Sequence, residues 1–287
     1  MIYCNCEVIV LKIMDTYSDI FNCYENGVFN KALWDDYAIS IFPGLKNKVE
    51  KDFSRISEYK DKIYAILNDI QKNIKTAEVA HQSFINATKN LSDEIKKKFN
   101  IDLVVTIILY LGLGNAAGWA TTIKNQKVIL IGLEKVVELG WCSERDMQAL
   151  IYHELGHIYH SHFEHKNHLL NNRQKGIYQL YSEGIAMVFE QTLCNDTDYY
   201  HQNTNDWLDW CKKNENLIKT EYLKRIQNKD SVQDFFGDWR SFMEHSDVGY
   251  YLGTSFVRFL MNDYSLQEIA SMKLSVVLKY FYRFANE

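Results

Sequence analysis

Residues 101–114 read IDLVVTIILYLGLG, and this run decides the fold class. Val104, Val105, Thr106, Ile107 and Ile108 are β-branched, stiff at χ1 and better suited to pleated backbone than to a helix. The run predicts a strand. GWATTI (118–123) and KVILIGL (127–133) predict two more, separated by the polar turn Lys124-Asn125-Gln126-Lys127. Together they form a small sheet, antiparallel at this point.

Toward the N-terminus the pattern changes. A first strand is expected at about Glu7–Ile13, and residues 15–98 then carry helical periodicity with abundant Lys, Asp and Glu. NKALWDDYAISIF (30–42) and DKIYAILNDIQKNI (61–74) repeat apolar residues three and four apart, the mark of amphipathic helices. Toward the C-terminus, from Ser143 onward, the chain reads as helical again. One proline and 13 glycines in 287 residues favour long helices over a turn-rich all-β architecture. No repeat, low-complexity segment or flexible linker interrupts the chain. The expected class is α+β: a mainly helical N-terminal lobe with one strand (1–100), joined to a domain in which a small mixed or antiparallel sheet packs on helices (101–287).

With 47% hydrophobic and 14% aromatic residues, such a chain can bury a sizeable core. A net charge of −5, with no basic stripe, argues against nucleic acid as a partner. The opening segment lacks a basic n-region and its apolar run is broken by Lys12, so it reads as a strand rather than a signal peptide. The longest apolar run, Val104 to Leu113, is too short to span a bilayer. A cytoplasmic protein with no membrane partner is expected. Cys4, Cys6, Cys23, Cys142, Cys194 and Cys211 show no C-x-x-C spacing and read as free thiols packed as small apolar groups.

The chemistry concentrates at residues 148–160, QALIYHELGHIYH. His153 and His157 stand four apart on one helical face, so both imidazoles can reach one cation. Glu154 lies about 100° round the helix, a position that borders the site and suits a base acting on water. Met147, Ile151, Leu155 and Ile158 form an apolar stripe, which predicts a buried helix. Two histidines and a glutamate on such a helix cost several kcal/mol unless satisfied, and a metal satisfies them. Gly156 costs about 1 kcal/mol against alanine inside a helix, which predicts close approach of another element. Ser143 to Asp146 resembles a capping box at the helix start.

A third ligand is required. His160 lies about 10 Å along the axis from His153, too far to share an ion on one straight helix. Glu183, in YQLYSEGIAMVFEQ (178–191), is the better candidate: Ser182, Gly184 and Ala186 flank it with small side chains that let its helix press against Gly156. The histidines 160, 162, 165 and 168 are expected to form a solvated, polar helix end.

HELGH (153–157) and YSEGIAMVFE (181–190), with GYYLGTSFVRFL (249–260), resemble the gluzincin metallopeptidases of the peptidase-MA type. The resemblance implies a zincin-like domain over 101–287, one zinc ion held by His153, His157 and Glu183, and Glu154 as general base in peptide-bond hydrolysis. It also implies a tyrosine that donates to the oxyanion, Tyr250 first and Tyr251 second. Two departures stand out. Met187 occupies the place of the acid in Glu-x-x-x-Asp, and the Gly-x-Met-Glu-Asn motif of the aminopeptidase branch is missing. The expected reaction is therefore endopeptidase cleavage of a peptide or protein substrate rather than aminopeptidase action. A zinc hydrolase of a non-peptide amide and a non-catalytic zinc-stabilised binding protein are the alternatives. Ser246 and Asp247 are expected to cap the helix that carries the two tyrosines.

Overall fold

The computed structural model describes residues 11–164, 170–237 and 239–287. Residues 7–10 of the first predicted strand, Cys4, Cys6, His165 and His168 lie outside these. The chain divides into two compact units, residues 1–154 and 155–287.

The first unit is built on a four-stranded mixed sheet of order β1-β4-β6-β5. β1 (Leu11–Asp15) pairs in parallel with β4 (Val105–Tyr110), β4 pairs in parallel with β6 (Gln126–Gly132), and β5 (Gly118–Ile123) closes the far edge antiparallel to β6. The antiparallel hairpin expected from the sequence is β5–β6. Its two-residue turn, Lys124-Asn125, has positive φ at both positions (47° and 65°), the conformation whose twist matches paired strands. The other two pairings are parallel. β4 and β6 are buried nearly throughout, as continuous apolar runs in parallel sheets are.

The chain leaves β4 and crosses β6 before laying down β5, so those neighbours in sequence do not pair. The crossing loop is pinned by a buried carboxylate. Glu134 Oε2 accepts the Gly112 N–H at 2.8 Å and Oε1 the Gly114 N–H at 3.1 Å. Burial pushes the Glu134 carboxyl up to about 7, with the backbone N–H donors opposing the rise. Glycine is required at Gly112, because a Cβ there would meet Glu134 Oε1.

The helices of this unit are α1 (Tyr17–Ile20), α2 (Lys31–Ile41), α3 (Leu45–Phe53), α4 (Lys60–Lys72), α5 (Ile74–Thr88), α6 (Leu91–Phe99) and α7 (Leu133–Leu139). A short hairpin, β2 (Tyr24–Glu25) with β3 (Val28–Phe29), precedes α2, whose N-cap Asn30 accepts from the Ala32 and Leu33 N–H groups. The helices are tied to the sheet by buried polar contacts as well as packing. Trp34 Nε1 donates to Leu111 O at 2.9 Å, Tyr37 Oη accepts the Leu111 N–H at 3.0 Å, and Thr16 Oγ1 donates to Leu109 O at 2.7 Å.

The second unit is helical: α9 (Asn172–Cys194), α10 (Trp207–Lys213), α11 (Glu215–Asn228), α12 (Val248–Leu260), α13 (Leu266–Ala270) and α14 (Leu274–Asn286). α8 (Glu144–Phe163) runs through the division between the units. α9 and α12 form the most intimate helix pair. At their crossing Gly184 faces Gly253, and a Cβ on either would run into the other's backbone. Asp247 adopts a left-handed φ of 62° and makes no side-chain cap bond, so the expected cap of α12 is absent from that residue. No helix among the described residues is long and apolar enough to cross a membrane. Cys23, Cys142, Cys194 and Cys211 are free thiols.

Candidate metal centre

α8 begins at Ser143, whose Oγ accepts the Asp146 N–H at 3.1 Å and lies 2.6 Å from Asp146 Oδ2. Acidic Glu144 and Asp146 occupy the first turn, where the helix dipole favours them. The apolar stripe is as read from sequence: Met147, Ile151 and Leu155 are wholly buried and Ile158 nearly so. His153 and Glu154 are themselves buried.

α9 starts with a capping box in which Asn171 and Gln174 satisfy each other's backbone N–H groups. It packs on α8 at Gly156, where an added Cβ would stand 2.6 Å from Ala186 Cα and 2.9 Å from Ala186 O. One turn on, His160 meets Ser182. Four residues forward on α8 thus correspond to four backward on α9, and the two helices run antiparallel. This register sets Glu183 beside His157, with Glu183 Oε2 at 3.2 Å from His157 Nε2.

One donor atom each from His153, His157 and Glu183 lie within 4.8 Å of one another. A four-coordinate zinc with nitrogen and oxygen ligands at about 2.0–2.1 Å places neighbouring ligand atoms about 3.3 Å apart. The His157–Glu183 separation already has that length, and two imidazoles with one carboxylate are a donor set of the catalytic type, leaving a fourth position open. The three side chains could hold a zinc ion.

Glu154 is fixed from the sheet. Its Oε2 accepts the Ala120 N–H of edge strand β5 at 2.6 Å, and the carboxylate lies over Gly118, where a Cβ would stand 2.5 Å from Oε1 and 2.7 Å from Cγ. Gly118 and Ala120 were not singled out in the sequence, where they read only as parts of a strand.

The two tyrosines of α12 separate by helix geometry. Gly253 marks the face of α12 that meets α9. At 100° per residue, Tyr250 lies about 60° from Gly253 and Tyr251 about 160° away. Tyr251 accordingly points elsewhere. Its hydroxyl donates to Glu215 Oε2 at 2.5 Å, and burial with the Glu215 carboxylate raises its phenol well above the usual range. Tyr250 packs edge-to-face on Phe236.

His160 overturns the expectation of a solvated helix end. It is 2% exposed, its ring stacks on Tyr178 and meets Tyr181 edge-on, and burial, with the neighbouring His157, pushes its imidazole down to about 3 against the pull of Glu183. His162 is exposed, as expected. Two other histidines have structural places: His81 lies 2.6 Å from Asp15 and stacks on Tyr17, and His245 stacks on Trp210.

No protein-family model, curated protein or solved structure matches the chain. The candidate centre therefore stands on the geometry of its own side chains. Ser182, read in the sequence only as a small neighbour of Glu183, lies within hydrogen-bond distance of His157 and His160, a place that a lone serine inside a helix does not signal.

Proposed function

We propose that the protein is a zinc-dependent hydrolase of the gluzincin type that cleaves peptide bonds, acting as an endopeptidase. The observation that carries the reading is the convergence of His153, His157 and Glu183 donor atoms within 4.8 Å, with the Glu154 carboxylate on the same helix. His153, His157 and Glu183 hold the ion. When bound, zinc supplies the positive charge that makes water acidic near neutral pH and polarises a carbonyl. Glu154 takes the proton of the attacking water and returns it to the leaving amine. Its orientation is set by the Ala120 N–H, so the base arrives at the reaction without a reorganisation cost. Tyr250 donates its phenolic proton to the developing oxyanion. The outer edge of β5, which ends the sheet, accepts an extended peptide by strand addition. The buried free thiols Cys23, Cys142 and Cys211 suit a reducing compartment, and we place the protein in the cytoplasm.

The test pairs metal content with turnover on a peptide library. Wild-type protein is expected to carry one zinc per chain and to cleave internal bonds. Glu154→Gln keeps the zinc and loses hydrolysis by about 10²–10⁴-fold. Retained hydrolysis in Glu154→Gln, or metal uptake unaffected by Glu183→Gln, rejects the reading.

A further inference from the structure

A histidine that ligates through Nε2 presents a lone pair there, so its proton sits on Nδ1 and needs an acceptor. Met187, one turn after Glu183, is apolar and buried and offers no acceptor. The serine on the other side of Glu183 is placed to supply one instead. Ser182 Oγ lies 3.3 Å from His157 Nδ1 and 3.2 Å from His160 Nδ1.

The three groups have a consistent proton arrangement. A hydroxyl has one donor and two acceptor sites. His157 Nδ1–H donates to Ser182 Oγ, and the Ser182 O–H donates to His160 Nδ1, which leaves the His160 proton on Nε2. His160 is held in place by Tyr178 at 5.8 Å and Tyr181 at 5.1 Å between ring centroids. It anchors the hydroxyl so that its lone pair faces His157. A carboxylate could only accept; a serine can also turn its hydroxyl round and donate to His157 Nδ1. In that reversed state His157 Nε2 carries the proton and donates it to Glu183 Oε2 at 3.2 Å. One rotatable O–H thus satisfies both tautomers of His157.

We propose that Ser182, anchored by His160, is the positioning residue that holds His157 in its metal-binding orientation and tautomer. The proposal rests on the zinc-centre reading above. It also gives His160 a reason to be buried: it is the far end of the hydrogen-bond chain rather than a ligand.

The experiment measures zinc affinity by chelator competition on the full chain, for wild type, Ser182→Ala, Ser182→Thr and Glu183→Gln. In parallel, the cobalt-substituted proteins are studied by proton NMR, where the Nδ1–H of a ligating histidine appears as a shifted, exchangeable resonance. Ser182→Ala is expected to lose about 10–100-fold in zinc affinity and to lose the slow-exchanging His157 Nδ1–H signal. Ser182→Thr, which keeps a hydroxyl, is expected to restore both. The metal-free unfolding midpoint of each variant separates loss of fold from loss of positioning. Wild-type affinity and an intact Nδ1–H signal in Ser182→Ala, with Glu183→Gln weakened, overturn the Ser182 proposal and leave the zinc centre standing. Equal affinity of wild type and Glu183→Gln overturns both.

Discussion

Substitution of Gly156 by alanine tests the α8–α9 crossing through the sign of its effect. In a helix that faces solvent, Gly→Ala stabilises by about 1 kcal/mol through backbone entropy. At Gly156 the new Cβ would stand 2.6 Å from Ala186 Cα, 2.9 Å from its O and 3.2 Å from its C, all backbone atoms. No side-chain rotation or truncation on α9 relieves that overlap, so the helices must part by close to 1 Å to restore an ordinary contact. Overpacking of this kind costs about 1–3 kcal/mol, which exceeds or offsets the propensity gain. Net destabilisation of about 0–2 kcal/mol is expected, in place of the gain of about 1 kcal/mol at a solvent-facing site, read from the urea midpoint at unchanged m-value. Ala186 lies less than one turn from Glu183, so the same shift is expected to pull Glu183 from its place 3.2 Å from His157 and, on the proposed zinc centre, to lower zinc affinity. A Gly156→Ala protein that is more stable than wild type refutes the close crossing, and with it the register that places Glu183.

Gly118→Ala drives a methyl group into Glu154, whose Oε1 and Cγ would stand 2.5 and 2.7 Å from the new Cβ. Turnover is expected to drop about 100-fold, the penalty for a misplacement near 1 Å, while zinc content stays at the wild-type value; unchanged turnover counts against Glu154 as the base. Tyr250→Phe is expected to lower kcat by 10²–10³-fold with KM little changed, and Tyr251→Phe to leave kcat intact; the opposite ranking assigns the oxyanion donor wrongly. Burial raises the Glu134 carboxyl from 4.5 to about 7 in the folded chain. Its stabilising contribution is therefore fully present below the unfolded value and is lost as pH rises through about 7. At roughly 1.4 kcal/mol per pH unit, the loss is on the order of 3 kcal/mol between pH 4.5 and 7. Urea midpoints across pH 5–8 should fall more steeply for wild type than for Glu134→Gln, and equal slopes would falsify this assignment.

What the sequence disclosed followed physical locality. The strands at 105–110, 118–123 and 126–132 were legible because β-branched runs declare themselves residue by residue. Their pairing was not: whether β5 lies beside β4 or beyond β6 depends on the loop that Glu134 pins, and Glu134 reads in sequence as an ordinary acid in the first turn of a helix. His153 and His157 were legible from a four-residue spacing, and Glu183 from its small neighbours. Gly156 announced the crossing correctly. His160 was misread because polar neighbours such as His162 and Glu164 suggested water, whereas Tyr178 and Tyr181, from α9, bury it. The cap assigned to Asp247 failed because its backbone is left-handed there, so the side chain is not aimed at the following N–H groups.

The pairing of β1 with β4 governs how this chain must be made. Leu11 aligns with Val105 and Asp15 with Leu109, across a separation of 94 residues. Helices α2 to α6 lie between them and can form from local contacts as they emerge. β1 cannot. Closing so long a loop costs entropy before any strand contact repays it, and parallel pairings of this kind fold slowly. During synthesis β1 therefore waits without its strand until β4 has left the ribosome, and β6 must follow before β4 is flanked on both sides. The rate at which the first unit matures is set by the last strand to arrive, and an interruption of translation between residues 30 and 105 leaves helices and the β2–β3 hairpin without the four-stranded sheet to fold upon.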